Sequence, residues 1–202
     1  MIRAAAFVLI LLAVATPAEA QRRPGARADE YDELFKKYSK RCFGPAFEWR
    51  LFKAQAMAES NLAPTAQSRV GARGLMQLMP TTFREIQTRN PELECIDHPE
   101  WNIAAGIHYD RVLWNLWSEH PTLEDRRNFM LGSYNAGRGT LLRAQATARE
   151  KRLDTGAWRS IAEVAPSVRG WRYRETLGYV TKIEAFLAGL KGEETPGKAE
   201  RP

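Results

Sequence analysis

From residue 31 to residue 190 the apolar positions of this 202-residue chain recur at helical spacing, and no segment alternates convincingly with period two. Such a pattern can bury its apolar stripes only by packing helix on helix. The expected fold is therefore all-α, a single helical domain with at most a minimal hairpin near 66–72. A short amphipathic helix is predicted over 31–39, with Tyr31, Leu34, Phe35 and Tyr38 on one face. The next runs over 47–60 and carries Phe47, Leu51, Ala54 and Ala58; Pro64 bars its continuation. Thr82 and Glu85 have capping-box spacing and open a third helix. Asn102 is read as the cap of a long fourth, with Ile103, Gly106, Ile107, Leu113, Trp114 and Trp117 along its apolar side. Further helices are expected over 122–136, 139–149 and 171–190, the last with Tyr173, Leu177, Val180, Ile183 and Leu187 as its stripe.

The ends of the chain differ from this core. Arg3, a wholly apolar centre from Phe7 to Leu12, Pro17, and the small residues of Ala18-Glu19-Ala20 have the layout of an export signal over 1–20. Its apolar run is short of the ~20 residues that a membrane-spanning helix needs. No stable membrane span is expected once the signal is removed, and the predicted location is the periplasm. Residues 21–30 lack apolar spacing and read as a flexible leader; 191–202 are mostly charged, with two Pro and two Gly, and read as a disordered tail. One domain over 31–190 lies between. The net charge of +6 is either a solubility feature or a preference for an anionic polymer. Export argues against nucleic acid as the partner. Cys42 and Cys95, an even pair in an exported chain, are expected to form a disulfide.

Glu59 is the acidic residue whose setting points to chemistry. It falls in the last turn of an apolar helix, where the helix dipole disfavours a carboxylate, and apolar neighbours would desolvate it. Both effects raise its pKa, as a general acid at neutral pH requires. Ser60 follows as a candidate donor. Shortly after comes Gly74-Leu75-Met76-Gln77-Leu78-Met79-Pro80, a glycine-bounded loop with an amide and thioethers. Gln77 has the donors and acceptor that suit an acetamido group. Tyr134 and Tyr179 offer phenols and flat rings for a sugar, or are core aromatics at helical spacing. His98, His108 and His120 have no ligand-type spacing, so no metal site is expected.

Four segments in order, Glu59-Ser60, Gly74-Leu75-Met76-Gln77, Ser133-Tyr134-Asn135-Ala136-Gly137 and Glu175-Thr176-x-x-Tyr179-Val180, resemble the soluble lytic transglycosylase domain family, which has a lysozyme-like fold. The likeness spans 47 to about 187. Ser133 stands where the family usually has Ala. The resemblance implies an enzyme acting on peptidoglycan glycan strands, with no cofactor. Glu59 would be the sole acid/base, first protonating the bridging oxygen between N-acetylmuramic acid and N-acetylglucosamine. It would then take the proton of the muramic C6 hydroxyl as that oxygen attacks C1, leaving a 1,6-anhydro end. Ordinary glycosidases use two carboxylates; here the nucleophile belongs to the substrate.

The resemblance further places Met79 on the sugar-binding wall, Met76 nearer the core, and Asn135 at the cleft. It makes Glu175 an orienting acceptor at the start of the last helix, and the main rival for a second carboxylate. A hydrolytic muramidase of goose-lysozyme type and a catalytically idle glycan-binding module remain as alternatives. The residues are equally compatible with general wall turnover and with opening the wall for a secretion machine, pilus or flagellum.

Overall fold

The computed structural model describes residues 29–120 and 122–192. Its elements are α1 (Asp32–Phe43), α2 (Arg50–Ser60), α3 (Pro80–Gln87), α4 (Pro99–Leu116), α5 (Leu123–Ala136), α6 (Arg138–Glu150), α7 (Trp158–Val164), a 3-10 turn (Ala165–Ser167) and α8 (Tyr173–Gly192). The all-α expectation holds. Among the described residues, β pairing is confined to the isolated antiparallel bridges Gln67–Arg73 and Arg73–Leu78. These are the remnant of the expected hairpin, shifted toward the glycine-bounded loop. The expected export signal, most of the leader and most of the tail lie outside the described residues.

Two apolar clusters hold the helices. The larger gathers Phe35, Leu51, Phe52, Leu75, Met76, Ile103, Ile107, Met130 and Ile183 from α1, α2, the loop before α3, α4, α5 and α8. The smaller gathers Trp117, Phe129, Leu141, Ile161, Val164 and Trp171. Helix α5 feeds both, so it ties the two lobes together. Helix α2 packs chiefly on α8, and Lys53, 3% exposed, binds α2 to the start of α1 through Asp32 at 2.7 Å. These contacts fix the helix that carries Glu59.

Several helix starts differ from expectation for local reasons. Helix α3 begins at Pro80, not at a Thr82 capping box, because Pro at the first helical position presets φ and needs no donor. Helix α4 likewise begins at Pro99, three residues before Asn102. Thr122 does cap α5, its Oγ1 accepting from Asp125 N at 2.9 Å. Helix α7 and the 3-10 turn were not expected; their short runs carry too few turns to show a period. The buried face of α8 is Thr176, Tyr179, Val180, Ile183 and Leu187, while Tyr173 and Leu177 are half-buried against the smaller cluster. Trp114 and Trp117 are core residues, as their stripe implied.

The expected disulfide is not formed: Cys42 and Cys95 are both free thiols. Cys42 sits in α1 and packs against the larger apolar cluster, whereas Cys95 stands exposed in the loop before α4. Burial pushes the Cys42 thiol up to about 11, so it behaves as a small apolar side chain.

Candidate active site

Helix α2 ends abruptly. Asn61 and Leu62 both take left-handed backbone, φ 53° and 59°. A buried leucine in that region is uncommon and strained, a feature that clusters at functional sites. The break turns the chain into the loop that faces Glu59 across a cleft. Ser60 Oγ holds that loop, donating to Leu75 O at 2.8 Å and lying 3.2 Å from Ala56 O. Its hydroxyl is thus engaged by backbone and not by Glu59.

The glycine-bounded loop is a tight reversal. Arg73 and Leu78 exchange backbone hydrogen bonds at 2.9 and 3.0 Å, with Gly74 through Gln77 as the turn. Gln77 has φ 45°, and its Nε2 donates to Gly74 O at 2.9 Å and Ala66 O at 3.1 Å. Both amide protons are therefore engaged by the loop, and the carbonyl oxygen is the part left for a ligand. Gly74 has φ 74°, and a Cβ there would lie 2.4 Å from Asn102 Nδ2. Asn102, 1% exposed, accepts from Met76 N at 2.8 Å and donates to Arg73 O and Ile96 O, each at 2.9 Å. It is the pin of the loop, not a helix cap. A polar residue set into the apolar stripe of α4 was the available signal for that role. Met76 is fully buried against Gly106 of α4, where a Cβ would meet its Cγ at 2.7 Å.

The cleft so formed is lined by Glu59, Gln77, Leu78, Met79, Thr82, Tyr109 and Tyr134. Four of the residues predicted from sequence meet here: Glu59, Gln77, Met79 and Tyr134. Thr82 and Tyr109 are additions that no sequence signal separated from ordinary helix positions. Tyr134 donates to Met76 O at 2.8 Å and its ring lies 5.3 Å from that of Tyr109. Tyr179 reaches in from α8 and donates to Glu59 Oε1 at 2.6 Å. Asn135 is 5% exposed, and its Nδ2 has no protein partner. Glu175 does not line this cleft. It lies one turn before Tyr179 and pairs with Arg172 at 2.9 Å. A larger groove of about 620 Å³, with Trp117, His120 and Arg138 in its walls, shares no lining residue with the cleft of Glu59.

Burial dominates the electrostatics of Glu59 and pushes its carboxyl up to about 8. The Tyr179 hydroxyl and the Lys182 ammonium pull the other way and are outweighed. Lys182, unnoticed in the sequence, donates to Ala58 O at 3.2 Å, at the carbonyl end of α2. Burial also raises the Tyr179 and Tyr134 phenols well above their ordinary value, and Tyr109 to about 12. All three are neutral donors at physiological pH. The arrangement is a carboxylic acid that keeps its proton at neutral pH, with a phenol already donating to it that stabilises the carboxylate when the proton leaves. Among the described residues no group of three or more His, Cys, Asp or Glu could hold a metal ion.

A helical, lysozyme-like domain with one carboxyl lining its cleft is the class that this fold and site define. The chain belongs to the transglycosylase SLT domain family, which matches residues 34–155. It is similar to the 70 kDa soluble lytic transglycosylase of Escherichia coli, with TM-score 0.62 and 26% identity over 81% of this chain and 25% of that one. The 70 kDa enzyme in complex with bulgecin A gives TM-score 0.65 and 27% identity, over 84% of this chain and 25% of that one. Among curated relatives, membrane-bound lytic murein transglycosylase F of Desulfosudis oleivorans is 35% identical over 141 residues, 69% of this chain and 30% of that protein. The protein of the same name from Maricaulis maris is 32% identical over 184 residues, 86% of this chain and 39% of that protein. The chain thus spans well under half the length of these relatives. Among the described residues no helix is long and apolar enough to cross a membrane.

Proposed function

We propose that this chain is a peptidoglycan lytic transglycosylase, exported to the periplasm, with Glu59 as its acid and base. The observation that carries this is the Glu59 carboxyl itself, raised to about 8 in a cleft where it is the sole carboxyl among the described lining residues. Names of the relatives support the reaction class. Protonated Glu59 gives its proton to the oxygen joining muramic C1 to C4 of N-acetylglucosamine, and the C1–O bond breaks. The resulting carboxylate is held by the Tyr179 hydroxyl and eased by Lys182. It then takes the proton of the muramic C6 hydroxyl as that oxygen bonds to C1. Glu59 ends protonated, and no water is consumed.

The intramolecular hydroxyl is favoured over water because it needs no separate capture and no second base. Gln77 Oε1 and the Met79 side chain are assigned to holding the sugar, and Tyr134, with the buried Asn135 next to it in α5, to fixing the wall behind it. Ser60 acts by shaping the loop, and Glu175 by setting the start of α8. The test is digestion of peptidoglycan in water enriched in heavy oxygen, followed by mass analysis of the fragments. Anhydro muramic ends, one water lighter and free of heavy oxygen, are expected. Heavy oxygen at most new muramic ends would replace this assignment with a hydrolytic muramidase.

A further inference from the structure

A second carboxyl lies buried beside the site and takes no part in the mechanism. Asp110 of α4 is fully buried, and so is Gln55 of α2, one helical turn before Glu59. Gln55 Nε2 donates to Asp110 Oδ1 at 3.4 Å. The other half of each group is orphaned: Gln55 Oε1 and Asp110 Oδ2 are buried without a partner. Both orphans are acceptors as long as Asp110 is ionised, and two buried acceptors without a donor are costly. One hydrogen placed on Oδ2 satisfies both, since an acid and an amide side by side can close a ring of two hydrogen bonds.

We propose that Asp110 carries a proton on Oδ2 and donates it to Gln55 Oε1, closing an acid–amide pair that positions the turn of α2 bearing Glu59. Among the described residues no salt bridge reaches Asp110, so no opposite charge offsets an ionised form, and the Gln55 amide is its one donor. The groups that exchange charge effects with it are Cys42 of α1, Glu59 of α2, Tyr109 beside it on α4, Tyr134 of α5 and Tyr179 of α8. All are neutral or become negative; none carries a positive charge. Glu85 of α3 acts on the neighbouring Tyr109. Burial, and then the charge of Glu59, hold the Asp110 carboxyl well above its usual range, against the hydrogen bond from Gln55. An ionised Asp110 would in turn make the Glu59 proton harder to release. A neutral one lets Glu59 pass through both of its states, so the pair is a positioning device for the acid.

Two measurements test this on the full chain. The infrared carbonyl stretch of a protonated carboxyl is recorded at neutral pH for Glu59→Gln and for Glu59→Gln/Asp110→Asn. The single variant is expected to show the band and the double variant to lack it. No band in the single variant, or one that survives Asp110→Asn, overturns the proposal. This arm does not depend on the assignment of Glu59 as the acid.

The kinetic arm does rest on that assignment. Asp110→Asn preserves a neutral two-bond pair and is expected to leave the alkaline limb of the pH profile where it stands. A limb that moves to lower pH means that Asp110 was ionised, and the proposal fails. Asp110→Leu orphans Gln55, and its kcat is expected to be about tenfold below that of Asp110→Asn with KM little changed. Equal kcat for the two refutes the positioning role. Should Asp110→Leu not fold, the infrared comparison and the limb of Asp110→Asn still decide. Parental activity in Glu59→Gln would instead overturn the assignment of the acid and leave the infrared result standing.

Discussion

Replacing Tyr179 by Phe removes one oxygen from the site and should move the pH profile in a direction that a merely structural tyrosine would not produce. The phenol donates to Glu59 Oε1 at 2.6 Å and is the larger of the two influences that pull that carboxyl down from its burial-driven height. A hydrogen bond to a charged group is worth roughly 1.5–3 kcal/mol, and one pKa unit corresponds to about 1.4 kcal/mol. The Glu59 midpoint, about 8 in the parent, should therefore rise by about one to two pH units. The acid works while protonated, so activity present below the midpoint is lost as pH rises through it. The alkaline limb of kcat/KM, measured on peptidoglycan from about pH 5 to about pH 10, moves upward in the variant. The maximum rate falls, because the carboxylate formed on proton donation loses its donor. A limb that stays put, or moves to lower pH, refutes the claim that this hydroxyl stabilises the ionised acid.

Glu59→Gln should lower wall cleavage at least about 100-fold, since the amide keeps the shape and cannot donate an acid proton. The same variant should be more stable than the parent near neutral pH. The folded carboxyl is raised above its unfolded value, so stability present below the unfolded pKa is lost as pH climbs toward about 8. The gain, read from thermal or urea unfolding, is on the order of 1–3 kcal/mol at pH 7, reduced by the side chain's remaining contact with cleft water, and vanishes near pH 4. Gly74→Ala should cost roughly 2–4 kcal/mol, from a positive φ together with a Cβ driven into the Asn102 amide; an unchanged melting temperature would reject the close packing described. Two thiols should titrate in the unfolded protein without reductant, with Cys95 reacting first in the folded one, as expected from the burial and raised pKa of Cys42.

Much of this architecture is legible in the residues because its stripes are long. The apolar faces of α4 and α8 extend over enough turns for a period to show, while Pro64 just beyond α2 and Gly137 at the end of α5 punctuate the chain elsewhere. Glu59 was legible from its helix-end position and its company of motifs. The pinning residues were not. Asn102, Gln55 and Asp110 look like interruptions of apolar stripes until the backbone groups or side chains they meet are in view. Lys182 and Glu59 are more than a hundred residues apart, and only the packing of α2 on α8 joins them. The disulfide failed because an even cysteine count carries no distances: one thiol is part of a helix face and the other stands in an exposed loop. Helix starts went astray where a proline outcompeted a polar cap.

The division of labour among the motif residues follows from where their polar atoms go. Ser60, Tyr134 and both amide protons of Gln77 bond to backbone carbonyls of the loop, and Asn102 holds that loop from below. They set the distance between Glu59 and the opposite wall, and changing them should alter the shape of the cleft before its chemistry. Fewer polar groups of the lining residues are left open to the cleft, chief among them the Glu59 carboxyl and the Gln77 carbonyl. A site with so few free groups suits a reaction in which the substrate brings its own nucleophile. What the protein must then supply is one carboxyl able to give up a proton and take one back. Burial alone would lock Glu59 in the protonated form, and strong pairing with a cation would lock it ionised. The Tyr179 donor at 2.6 Å and the more weakly felt Lys182, set against desolvation, hold it between those limits at about 8.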